Sequence, residues 1–116
     1  MPRRNPTEPT GELKLNGETF TLFFDFNAVA EVEDQTGIPI ILGLSAREVA
    51  APRVSLVRVM LWACLRPKHS DITREQASAM VTQKTIKEVW RFVLEAWSAS
   101  MTEQEEAADD PLKGQS

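Results

Sequence analysis

Only a few side chains in this sequence have the types that catalysis or metal binding uses. His69 is the single histidine and Cys64 the single cysteine. His69 sits in the polar stretch Lys68-His69-Ser70-Asp71 with no second metal-type ligand beside it, so a solvated loop residue is the plain reading. Cys64 lies inside an apolar run, which makes a buried thiol the expected state and rules out a disulfide within the chain. One His and one Cys on different elements assemble neither a zinc site nor a Ser/His/Asp triad. Glu31, Glu33 and Asp34 could form a carboxylate pair, because two acids in one dry cleft push one pKa upward. On a short amphipathic helix they read instead as a solvated face. No glycine-rich phosphate loop is present. The expectation is a non-catalytic protein with no catalytic residue, no cofactor and no metal.

The elements that would position a site are strongly marked. Asn16-Gly17 is a hairpin signal, because a type I′ turn needs positive φ at both central residues. It sets Leu15 opposite Glu18 and Leu13 opposite Phe20, so Leu13, Leu15, Phe20, Leu22 and Phe24 share one face. Lys14, Thr19, Thr21 and Phe23 take the other. Two strands alone are marginal in water, so the hairpin must lie on helices or gain strands from another subunit, which leaves a homo-oligomer open.

Asp25 is placed to N-cap the next helix, with Phe24 and Val29 as its hydrophobic staple and Gly37 as its stop. Ser45 with Glu48, Thr73 with Gln76 and Thr85 with Glu88 have capping-box spacing. Pro52 suits the first position of a helix running to Arg66 that is apolar on nearly every side. Ile86, Val89, Trp90, Val93 and Trp97 then give one continuous face of a last helix. These signals predict an α+β fold, mostly helical, with an N-terminal β-hairpin packed on a bundle of about four helices. Residues 1–10 read as a flexible arm, 11–101 as a single domain and 102–116 as an acidic disordered tail.

Composition narrows the partners. The chain has 116 residues, 42% of them hydrophobic and 26% charged, with a net charge of −4, the profile of one soluble domain. That charge argues against a grip on phosphate backbones. A helix-turn-helix built from 52–66 and 73–82 fails as well, since its connection is about seven residues where the motif uses three or four. The longest apolar run, Val59 to Leu65, is too short to cross a bilayer, so neither nucleic acid nor membrane is an expected partner. A lone cysteine suits a reducing cytoplasm. Tryptophan at helical spacing is more often core than interface, yet Phe23, Trp62, Trp90 and Trp97 are the candidates for partner contact, with Phe23 and Trp97 nearest the margins of the predicted core.

The order of GELKLNGETFTL, FDFNAVAEVEDQTG and VMLWACLRP resembles the small tail assembly chaperones of long-tailed phages and phage-derived gene transfer agents. The similarity covers about residues 11 to 97, and Gly17, Phe26-Asn27-Ala28, Glu33, Gly37 and Trp62-Ala63 carry most of it. It implies a helper in the cytoplasm of the bacterial host that binds the tape-measure protein and keeps it soluble while the tail-tube protein polymerises around it. The groove between helices 52–66 and 86–100 is then the expected seat for a partner helix. The alternative from another class is a structural component of the tail tube or connector, which stays in the particle.

Overall fold

Asn16 and Gly17 adopt φ of 53° and 81°, the left-handed values a two-residue type I′ turn demands. They join β1 (Thr10–Leu15) to β2 (Glu18–Phe23) with Leu15 opposite Glu18 and Leu13 opposite Phe20, the register the sequence predicts. The computed structural model describes the backbone of residues 10–115 and the side chains of residues 10–101. Of the expected arm 1–10, Thr10 opens β1, and residues 1–9 lie outside the described residues.

After the hairpin come α1 (Phe26–Thr36), a 3-10 turn (Ile40–Leu42), α2 (Ala46–Ala50), α3 (Val54–Leu65), α4 (Arg74–Ala79) and α5 (Ile86–Gln115). The fold is α+β and mostly helical. Asp25 caps α1 by accepting from the Ala28 N–H at 2.7 Å, and Gly37 ends it at φ 75° while donating to the Glu33 carbonyl. Thr73 and Gln76 close a full capping box on α4 at 3.0 and 2.8 Å.

Two expected boundaries differ, each because a side chain finds a partner the local pattern does not show. Ser45 caps α2 as expected, accepting from the Glu48 N–H at 3.1 Å, but Glu48 does not reach back to complete the box. It binds the Arg53 guanidinium instead, at 2.6 Å. Arg53 is thereby held extended as the N-cap of α3, so Pro52 precedes the helix rather than opening it. Before α5 the reciprocal pair is not Thr85 with Glu88. Thr82 N–H donates to Thr85 Oγ1 at 2.9 Å and Thr85 N–H to Thr82 Oγ1 at 3.2 Å, which moves the box three residues towards the N-terminus. Of the expected tail 102–116, the backbone follows α5 to Gln115, and the side chains lie outside the described residues.

Helix α3 is the central element, touching α1, α4, α5 and β2. The hairpin lies across it and α5, with β1 against α5 and β2 reaching α3. Leu13, Leu22 and Phe24 are thereby buried. Support for the two strands thus comes from helices of the same chain. β1 sits so close to α5 that a Cβ on Gly11 would stand 3.1 Å from Ala96 Cβ. At the open end of the hairpin, buried Ser100 on α5 donates from Oγ to the Phe24 carbonyl at 2.8 Å, and Trp97 meets the Phe24 ring edge-on at 5.4 Å.

That hydrogen bond yields the first prediction. Ser100→Ala leaves the Phe24 carbonyl buried without this donor, and a loss of about 1–3 kcal/mol is expected in urea unfolding. Ser98→Ala, exposed on the same helix, is the control and should change stability by less than about 0.5 kcal/mol.

Candidate partner-binding surface

The four aromatic candidates separate by environment. Trp90 and Trp97 are 7% and 6% exposed. Trp90 Nε1–H donates to the Val49 carbonyl at 2.9 Å, pinning the α2 segment to α5, and Trp97 packs on Phe24. Both rings are taken up inside the chain, which leaves Phe23 and Trp62 as the members of the set that present surface. The structure does not bring these four together on one face. Nor is a groove open between α3 and α5, because the two helices pack directly and the hairpin crosses both.

Another concavity lies on the other side of α3. It is a cleft of about 860 Å³ with Trp62 in its lining, walled by Asp25, by α1 residues including Glu31 and Asp34 and by the segment that leads into α4. A closed circuit of polar contacts surrounds Trp62. The Arg66 guanidinium stands 4.8 Å from the ring centroid and that of Arg74 5.5 Å, both within cation–π range. Arg66 pairs with Glu31 at 3.6 Å. Glu31 accepts from Gln35 Nε2 at 3.1 Å, and Gln35 Oε1 accepts from Arg74 Nη1 at 2.9 Å. Each exposed contact is worth a fraction of a kcal/mol, but together they bridge α1, α3 and α4 around one half-exposed tryptophan. An aromatic held this way is preordered for contact at little conformational cost.

Two further surfaces are available. Leu42, 84% exposed, sits with Val49, Leu94 and Met101 around an apolar groove of about 540 Å³ beside α5. On the hairpin, Phe23 has Lys68 Nζ 5.5 Å from its ring. The exposed Glu12 and Lys14 of β1 are the kind of charges that blunt a strand edge against pairing with other chains.

His69, expected in solvent, has a structural task. Alternation from the Leu15–Glu18 pair points the Thr21 N–H out of the hairpin, where it donates to His69 Nε2 at 2.9 Å. Phe20 adds an edge contact to the imidazole at 5.6 Å. The loop after α3 thus covers part of the β2 edge, across a sequence separation that no local pattern reveals. Two acids of α1 are likewise engaged: Glu31 pairs with Arg66, and Glu33 accepts from the Ile41 N–H at 2.9 Å, holding the 3-10 turn against the helix.

Cys64 is fully buried and its Sγ–H donates to the Leu61 carbonyl at 3.3 Å. Burial pushes its pKa well above the usual thiol range. Among the described residues no three His, Cys, Asp or Glu side chains converge as a metal ion requires, and no helix is long and apolar enough to cross a membrane.

Among curated proteins and solved structures, nothing matches this chain. A family model described as phage tail tube protein, GTA-gp10, matches residues 9–103, a stretch that takes in both strands, α1 to α4 and the packed part of α5.

The division between the tryptophans is measurable. Trp62→Ala should cost about 1–3 kcal/mol in urea unfolding, since its ring is partly buried against the core as well as held by exposed contacts. Trp90→Ala should cost about 3–5 kcal/mol, as for other large aromatic truncations in a core. Cys64, kept protonated and covered, should resist alkylation in the folded protein at mildly alkaline pH and react once the chain unfolds.

Proposed function

The chain belongs to the family described as phage tail tube protein, GTA-gp10, and from that premise we propose that it is a non-catalytic protein of tail morphogenesis. It works by contact with other tail subunits in the cytoplasm of the bacterial host. The observation that carries this reading is the match across residues 9–103. The preordered Trp62 cleft and the apolar groove at Leu42 supply surface of the kind that subunit contacts use.

The family's description favours a lasting part of the tail, at the tube or the connector, and that is the first reading. In it the compact core is one face-sharing unit of a larger assembly. A second reading is favoured by a specific observation, the two-stranded sheet. Closed β assemblies need many paired strands to remove their edges, and a hairpin seated on its own helices contributes few. In this second reading the protein is a tail assembly chaperone. It covers apolar stretches of a tape-measure protein and helps recruit the tail-tube protein, then leaves before the particle is complete.

Quantitative mass spectrometry of purified particles, beside affinity capture from the assembling cell, separates the readings. A structural component should appear in many copies per particle. A chaperone should be missing from particles and should be recovered with the tape-measure protein, whose solubility should fall without it. Absence from particles together with no captured tail protein would overturn both.

A further inference from the structure

The two edges of the hairpin differ in what covers them. Leu15 with Glu18 and Leu13 with Phe20 bond to each other across the strands. The pairs between them, Lys14 with Thr19 and Glu12 with Thr21, therefore aim their N–H and C=O groups outward. On the β2 side the loop after α3 occupies that edge, through His69 and the Thr21 N–H. β1 touches β2 and α5, and among the described residues no side chain binds the outward groups of Glu12 and Lys14.

The flank of α5 beside this open edge is apolar. Ser100 bonds the Phe24 carbonyl past the end of β2, and Ala96, four residues earlier, meets Gly11 of β1. Continuing round the helix in the same sense leads to Phe92 and Ala99, four before and three after Ala96. Both are half-buried and lie beyond β1, on its open side.

The edge side chains specify the strand that fits. Glu12 and Lys14 are exposed on one face, and buried Leu13 between them points to the other. An antiparallel strand added here needs a base opposite Glu12, an acid opposite Lys14 and an apolar residue opposite Leu13. Read along its own direction, that is acid, apolar, base, which is the order of Glu12-Leu13-Lys14 itself. β1 is thus self-complementary about a two-fold axis between two Leu13 residues, as an isologous contact requires. A slip of one residue sets Leu13 of one copy opposite a charge of the other and reverses the faces. A slip of two sets Glu12 against Glu12 or Lys14 against Lys14, like charges that destabilise a pair. The charges that turn away an arbitrary strand therefore admit this one, in one register.

We propose that two copies of this chain join through the outer edges of β1, antiparallel, with Glu12 of each opposite Lys14 of the other. Two two-stranded sheets then become one of four strands, in the order β2-β1-β1-β2, and the Phe92–Ala99 flanks of the two α5 helices come together beside it. Each Glu–Lys pair also exchanges main-chain hydrogen bonds, and four strands are past the size at which a sheet is marginal. The contact is short, which makes it a weak, concentration-dependent interface rather than a permanent one. The dimer is compatible with either tail reading and depends on neither.

Sedimentation equilibrium of the full chain, over a series reaching about 1 mM, should show a monomer–dimer equilibrium that added salt weakens. Glu12→Lys and Lys14→Glu should each weaken it about tenfold or more, because either change turns both pairs into like charges. An equimolar mixture of these two variants should recover the wild-type affinity, since each pair across it is again Lys with Glu. The double exchange, Glu12→Lys with Lys14→Glu in one chain, should recover it too. Urea midpoints close to wild type verify that each variant is folded. At high concentration the Glu12 and Lys14 amides should gain protection from hydrogen exchange and lose it on dilution. A chain that stays monomeric throughout the series would overturn the proposal, as would failure of the mixture to recover the dimer. So would a dimer that both single variants leave intact and Leu42→Asp dissociates, because the copies would then meet at the Leu42 groove.

Discussion

Eight of the twelve residues of α3 are buried, and a helix apolar on so many sides has to be enclosed by several partners at once. That requirement organises the molecule. α1, α4 and α5 each take a side, and β2 takes another. Fully burying side chains such as Leu56, Met60, Leu61 and Leu65 is worth about 1.5–3 kcal/mol apiece, enough to order neighbours that are weak alone. α2 is five residues and α4 six, below the length at which isolated helices hold in water. Each is instead fixed by caps at its start, and α2 also by the Trp90–Val49 hydrogen bond.

The same enclosure decides where function can reside. Trp62, the aromatic side chain of α3, reaches the surface between buried Leu61 and Ala63. It emerges where α1 and α4 part, and the Arg66–Glu31–Gln35–Arg74 circuit spans that gap. Three of the side chains that could suggest chemistry are turned to holding backbone: Asp25 caps α1, Glu33 holds the 3-10 turn, His69 covers β2.

Local signals were legible in the sequence because their partners lie within a few residues. The type I′ turn, the strand register, the Asp25 cap and the Thr73–Gln76 box all close loops of that size, so residue type and spacing suffice. The misplaced start of α3 shows the limit: Glu48 has two possible partners, Ser45 N–H and Arg53, and only the folded geometry selects the guanidinium. Separating Trp62 from Trp90 and Trp97 needed the packing of α2 and Phe24 on α5. The His69–Thr21 bond and the circuit around Trp62 cross between elements far apart in sequence, so the cleft itself left no trace in the spacing. The resemblance reached the tail-protein class through short local stretches such as Phe26-Asn27-Ala28 and Trp62-Ala63, while the division between tail component and assembly helper depends on partners, which a single chain's physics does not encode.

The hairpin has a role in this arrangement beyond completing the core. Its open end is the place where both ends of the packed unit depart. Thr10 stands opposite Phe23, and Ser100 bonds to Phe24 at the next position, just before α5 runs on past Met101. The family match, residues 9–103, starts and stops at these two departures, so the unit defined by packing coincides with the unit defined by family. Segments leaving from one shared point can report on the same neighbourhood, and here that neighbourhood includes the start of α1 and the mouth of the Trp62 cleft. A contact that moved Phe24 would therefore be felt at β1, at α1 and at the exit of α5 together, because Ser100, Trp97 and the Asp25 cap all meet around that one residue.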